Sequence, residues 1–114
     1  MKIVEKNITL DEIGQMSQKM FGNLVKAVVD IEKGIIAVDA ELHSDEEALL
    51  LENGSKQADL WGINIYPEFF GQADFIEFDS MINLRPSQNN RSRGVDNPEI
   101  RERILEITNK LISK

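Results

Sequence analysis

The chain has 114 residues, of which 41% are hydrophobic and 29% charged, a composition typical of one folded domain and too apolar for intrinsic disorder. Its net charge of −7 argues against broad, non-specific DNA binding, and the absence of cysteine excludes disulfides and thiolate chemistry. No apolar run reaches the roughly 20 residues that span a bilayer, and the N-terminus carries no signal-peptide pattern. We therefore expect a cytoplasmic protein without a membrane partner, folded as a single domain over residues 1–114.

The first half of the chain predicts an edge strand, a helix and a hairpin. Residues 2–5 are suited to a short edge strand. Thr9 and Glu12 have the spacing of a capping box, which predicts a helix that begins there and runs for about ten residues. Two β-rich runs, at 24–31 and 35–42, are separated by a short glycine-containing turn and predict a β-hairpin.

The second half predicts a helix, two strands and a last helix. A helix from Asp45 to about residue 53 is predicted, with Ser44 as its N-cap. Strands are predicted at 61–66 and 75–84. The last helix begins near Pro98 and shows one apolar stripe. The stripe consists of Ile100, Ile104, Ile107 and Leu111.

The predicted element order is an optional strand followed by helix, two strands, helix, two strands and helix. This order indicates an α+β fold with a mainly antiparallel sheet of four to five strands and the helices on one face. The other sheet face is then open to solvent. Alternation along the strands assigns a mostly acidic set of side chains to it: Asp30, Asp39, Glu41, Glu77 and Asp79.

Positive charge is concentrated late in the chain. Residues 1–84 hold 16 acids and 6 lysines, whereas residues 85–114 hold 4 acids and 7 basic residues, and all five arginines lie between Arg85 and Arg103. Guanidinium, hydroxyl and amide groups bind phosphate and carboxylate oxygens, so the loop ahead of the last helix is a candidate anion site. Its predicted ligand-binding residues are Arg85, Ser87, Gln88, Asn89, Asn90, Arg91, Ser92 and Arg93. The alternative is a structural loop whose polar side chains satisfy its own backbone.

His43 is the only histidine and follows Glu41 by two residues, so the two are catalytic candidates: the imidazole transfers a proton and the carboxylate orients it. A hydrogen-bonded loop histidine has the same sequence pattern. The acidic side chains of the outer face suit Mg²⁺ or Ca²⁺ as ligand types, but the sequence lacks the dense spacing of a calcium loop. We therefore predict neither a metal site nor a cofactor.

The chain carries a family resemblance in four segments. They are VVDIE at Val28–Glu32, DAELH at Asp39–His43, DLWGINIYP at Asp59–Pro67 and INLRPSQNNRS at Ile82–Ser92. In these segments it resembles an uncharacterised family of small bacterial and archaeal proteins, domain of unknown function 5674. The resemblance covers nearly the whole chain and implies no activity, ligand or catalytic residue.

Three functions remain open from the sequence. The first is a binding or regulatory module that recognises a small anionic or nucleotide ligand through residues 85–93. The second is a small hydrolase or nuclease-like enzyme that uses His43 and the strand carboxylates. The third is a self-associating protein, a homodimer, formed through Phe69 and Phe70 or through the open sheet face.

Overall fold

A computed structural model describes residues 1–114 and confirms the α+β class. The chain forms seven strands, three α-helices and five short 3-10 helices. In chain order the strands and α-helices are β1 (Lys2–Val4), β2 (Ile8–Thr9), α1 (Leu10–Lys19), β3 (Val25–Asp30), β4 (Ile35–Val38), α2 (His43–Glu52), β5 (Leu60–Ile65), β6 (Ile76–Glu77), α3 (Pro98–Leu111) and β7 (Ile112–Ser113).

The main sheet is antiparallel throughout and has the order β1-β4-β3-β5-β6. The predicted hairpin is its β3–β4 pair, and the Asp30 carboxylate fixes the turn by accepting hydrogen bonds at 2.9 Å from the amides of Glu32 and Lys33. The predicted edge strand is β1. A second, parallel pair, β2 with β7, joins the two ends of the chain and was not predicted.

One face of the sheet carries the main core and is covered by α1 and α3. Helix α1 begins as predicted, because the Thr9 hydroxyl accepts a hydrogen bond from the Glu12 amide at 3.1 Å. The stripe of α3 is buried at Ile104, Ile107 and Leu111, in one cluster with sheet residues such as Ile63. The apolar periodicity of these two helices therefore predicted their docking correctly.

The prediction that all helices lie on one face is wrong. Helix α2 lies on the opposite face, where Leu50 packs against Val28, Ala37 and Leu60, and all four residues are fully buried. The central strands are apolar on both faces, and such strands need a helix on each side to leave water. The sheet is therefore the middle layer of three, and no open acidic face exists.

The predicted strand over 75–84 is also much shorter than expected. Strand β6 ends at Glu77, and the chain then turns into a 3-10 helix, Met81–Asn83, capped by the Ser80 hydroxyl. As a result Ile82 packs on the α2 side of the sheet, whereas Ile76 belongs to the core on the other side. None of the helices has both the length and the hydropathy needed to cross a membrane.

Candidate functional site

A cavity of about 200 Å³ lies on the α2 side of the sheet, between the start of α2, the strands β3 and β5, and the segment that follows β6. Its volume corresponds to roughly six or seven water molecules. Polar side chains dominate its lining: Lys26, His43, Ser44, Asn64, Asp79, Ser80 and Arg93. The residues come from distant parts of the chain, so the fold alone brings them together.

Gly62 makes this assembly sterically possible. A Cβ atom at this position would lie 2.5 Å from Ser80 Cβ and 3.2 Å from His43 Cδ2, and the first distance is far inside van der Waals contact. Asn83 holds the same strand residue from the side, accepting from the Gly62 amide at 2.8 Å and donating to its carbonyl at 3.0 Å. The bare strand surface at Gly62 therefore lets both cavity residues approach the sheet.

His43 is buried, with only 8% of its surface exposed. Its Nε2 lies 2.7 Å from the Ile63 carbonyl, which only accepts hydrogen bonds, so Nε2 carries the proton. The unprotonated Nδ1 has no partner within the chain and is not enclosed by protein. Burial lowers the pKa of His43, so the ring is neutral at pH 7 and presents a free acceptor.

The start of α2 is an open helix end. Leu42 is its N-cap residue and no side chain caps the first turn, so the prediction that Ser44 is the N-cap is wrong. Ser44 instead lies in the first turn with an exposed side chain, and both residues line the cavity. The uncapped backbone amides and the helix dipole make this end attractive to negative charge.

Two cations border the cavity. Arg93 donates from Nε to Asp79 at 2.7 Å, and its terminal guanidinium nitrogens make no hydrogen bond within the chain. Lys26 forms no ion pair, and its ammonium lies 5.1 Å above the centroid of the Phe21 ring. Both groups therefore retain hydrogen-bond donors for a negatively charged ligand.

Arg85, the first arginine of the predicted anion loop, is turned into the protein. Its guanidinium donates to the backbone carbonyls of Gln57, at 2.6 Å, and Leu60, and it stacks 4.0 Å from the Trp61 ring. Only 8% of the residue is exposed, and this burial lowers the pKa of its guanidinium. The contacts of Arg85 favour the structural alternative for this part of the loop.

Asn90 likewise holds the loop together rather than facing solvent. Its side chain donates to the carbonyls of Asn83 at 2.7 Å and Gly94 at 2.8 Å, and accepts from the Asp96 amide at 2.8 Å. Ser92 donates to Asp96, and Gln88 accepts from the Arg85 guanidinium. Ser87, Asn89 and Arg91 are exposed, like Gln88 and Ser92, and none of these five residues lines the cavity.

Eight loop residues were predicted to bind a ligand. Of these, only Arg93 lines the cavity, which His43 also lines. Glu41, the predicted partner of His43, is exposed and lies outside the cavity lining. The acidic side chains of the predicted outer face do not converge. Asp30 accepts a hydrogen bond within the β3–β4 turn, and Glu77 accepts one from the Asn64 amide. No cluster of three or more potential metal ligands is present.

The two loop phenylalanines fold back onto the body. Phe70 contacts Phe75 edge to face, with 5.2 Å between ring centroids, and Phe69 lies 6.2 Å from the Tyr66 ring. Both pack against the main core while partly exposed. Much of their apolar surface is therefore used within the chain.

The sequence did not single out Lys26, Asn64 or Ser80 as site residues. Asn64 had the most useful signal, because it is a polar residue inside the apolar strand β5 and a buried amide requires partners. Its amide nitrogen donates to Glu77 at 2.9 Å, whereas its Oδ1 is enclosed and has no donor within the chain. An unsatisfied polar residue on a buried strand indicates a site more specifically than loop composition does.

Glu46 lies one helical turn after His43 and is fully buried. Its Oε2 accepts from the Ala40 amide at 3.2 Å, and Oε1 has no partner. Burial raises the pKa of this carboxyl to about 10, so the folded protein keeps it protonated at pH 7.

Glu46→Gln should stabilise the protein at neutral pH. The unfolded chain releases the Glu46 proton above its ordinary pKa of 4.5, while the folded chain holds it up to about 10, so stability is lost as pH rises between these values. Glutamine removes this loss and keeps an acceptor for Ala40, for a gain on the order of 3 kcal/mol at pH 7. Urea unfolding at about pH 5 and pH 8 should show a larger gain at the higher pH. The exposed Glu52→Gln in the same helix is the control, and a destabilised Glu46→Gln at pH 8 would contradict the buried, protonated state.

Fold and cavity together define a small α+β domain with a polar cavity between its central sheet and an uncapped helix start. A profile of the family described as "Protein of unknown function (DUF5674)" matches residues 2–111, so the chain belongs to that family. This confirms the resemblance noted in the sequence. No curated protein and no solved structure matches the chain.

Proposed function

We propose that this protein is a binding module for small organic anions and that the cavity at the start of α2 is its site. One observation carries the proposal: Lys26, Arg93 and the uncapped start of α2 border the same polar cavity. Arginine, lysine and free helix amides are the groups with which proteins bind phosphate and carboxylate. The proposed anion site therefore includes Arg93, the last residue of the loop 85–93, and the start of α2, but not the rest of the loop.

The electrostatics of the cavity differ from those of the whole molecule. The protein carries a net charge of −7, yet two cations and one carboxylate, Asp79, line the cavity, and its histidine is neutral. Asp79 holds the Arg93 side chain through Nε and leaves the terminal nitrogens free. A small anion is therefore attracted locally, while the acidic surface disfavours large polyanions.

Arg93→Gln should weaken the binding of inorganic phosphate about tenfold, the effect of losing one charge-assisted hydrogen bond. Arg91→Gln is the matched control, because it removes the same charge from an exposed side chain two residues away, outside the cavity. Calorimetric titration at low and high salt measures both variants, and the parent affinity should fall with salt. Equal weakening by the two variants would indicate general charge attraction instead of a site.

Asp79→Asn provides a second arm of the same experiment. Removing this carboxylate eliminates a repulsive charge from the cavity wall and releases the Nε of Arg93, so phosphate affinity should rise several-fold. Unchanged affinity would place the anion elsewhere, whereas lower affinity would mean that Asp79 is needed to hold Arg93 in place.

A second candidate is a hydrolase, and the neutral His43 favours it. The bond from Nε2 to Ile63 fixes the tautomer and leaves Nδ1 as a free acceptor, and Lys26 and Arg93 line the same cavity. A general base that activates water near an anionic substrate has this arrangement. The generic substrate p-nitrophenyl phosphate, assayed in the parent and in His43→Gln, separates the candidates. Turnover that depends on His43 supports the enzyme, and phosphate binding without turnover supports the binding module.

A further inference from the structure

Two large apolar side chains lie at the mouth of the cavity, beside the exposed polar residues Ser44 and Arg93. Leu42 and Met81 line it from different segments, the N-cap of α2 and the 3-10 helix after Ser80. Their exposures, 53% and 63%, place them among the three most exposed large apolar side chains of the chain. Covering them with an apolar group removes this surface from water and stabilises the complex.

The cavity offers an acceptor as well as cationic donors. His43 Nδ1 is unprotonated and without a partner, and the residue is more than nine-tenths buried. A plain carboxylate or a fully ionised phosphate has only acceptors and cannot donate to His43. A ligand that uses both the cations and His43 Nδ1 therefore carries a hydroxyl donor next to its anionic group.

We infer that the ligand is a nucleoside monophosphate, an assignment that rests on the proposed anion-binding function. The phosphate lies between Arg93, Lys26 and the start of α2. A ribose hydroxyl donates to His43 Nδ1. A cavity of about 200 Å³ does not enclose a whole nucleotide, so the flat base lies at the mouth against Leu42 and Met81.

Calorimetry with three probes separates the parts of the ligand: adenosine 5′-monophosphate, ribose 5-phosphate and inorganic phosphate. The nucleotide should bind at least tenfold more tightly than ribose 5-phosphate, since the base covers two apolar side chains. Met81→Ser should weaken nucleotide binding about fivefold and leave ribose 5-phosphate unaffected. Leu105→Ser on α3 is the matched control, because Leu105 is also exposed, at 38%, and lies outside the cavity lining.

The results distinguish this inference from the function on which it rests. If inorganic phosphate binds at the site as tightly as the nucleotide does, the nucleotide assignment is wrong and the anion module stands. If none of the three probes binds at low salt, both are wrong. A 2′,3′-dideoxy nucleotide that matches the parent nucleotide in affinity would overturn the role of His43 as acceptor for the sugar.

Discussion

Arg85→Gln is expected to lower the free energy of unfolding by about 3 kcal/mol, because it leaves the buried Leu60 carbonyl and the part-buried Gln57 carbonyl without this donor and ends the stacking on Trp61. The guanidinium bridges Gln57, which precedes β5, and Leu60, the first residue of β5, and thereby fastens the loop to the central sheet. Glutamine is shorter, has one amide group and cannot reach both carbonyls. Urea denaturation of parent and variant measures the loss.

The other two loop arginines make this a matched series, since each change to glutamine removes one positive charge. Arg91→Gln should alter stability by less than about 0.5 kcal/mol because the side chain is exposed. Arg93→Gln breaks only the exposed pair with Asp79 and should cost less than about 1 kcal/mol. An Arg85→Gln protein as stable as the parent but unable to bind phosphate would restore the anion-loop hypothesis.

These three arginines show why the sequence located the loop but could not decide which of its side chains face the protein and which face a cavity. Composition identifies a run of donors, yet their direction depends on groups distant in the chain. Arg85 turns inward because the Leu60 carbonyl, 25 residues earlier, is available to it, whereas Arg93 meets Asp79 at the cavity. Local signals such as the Thr9 cap succeeded because both partners lie within one helical turn.

The position of α2 was missed for a related reason. Its inward positions include His43 and Glu46 as well as Leu50, so the helix lacks the apolar stripe that indicates docking. The sequence signal for a helix on the second sheet face lies in the strands rather than in α2. Val28 and Ala37 share the alternation of Asp30 and Asp39, which were assigned to the outer face. Apolar residues on both faces of neighbouring strands indicate a sheet covered on both sides. Without that layer, the cavity between α2 and the sheet could not be foreseen.

Gly62→Ala should destabilise the protein by about 3 kcal/mol, although alanine is normally acceptable in a strand. The backbone of Gly62 does not require glycine, because its φ lies outside the left-handed range. The cause is space: the new Cβ would lie 2.5 Å from Ser80 Cβ and 2.6 Å from its Oγ, and Asn83 ties the strand to the same segment. Relief of the clash moves Ser80 and His43, so phosphate affinity should fall together with stability.

Ser80→Gly tests that cause in a double-mutant cycle. Alone it removes a buried hydroxyl that caps the following 3-10 helix and should be mildly destabilising. In its background, Gly62→Ala should cost less than about 1 kcal/mol, because both close contacts are gone and only the 3.2 Å approach to His43 remains. Additive losses in the double variant would show that Ser80 is not the obstacle. A Gly62→Ala protein with parental stability would mean that α2 and the segment after β6 pack less closely on the sheet than the structure shows.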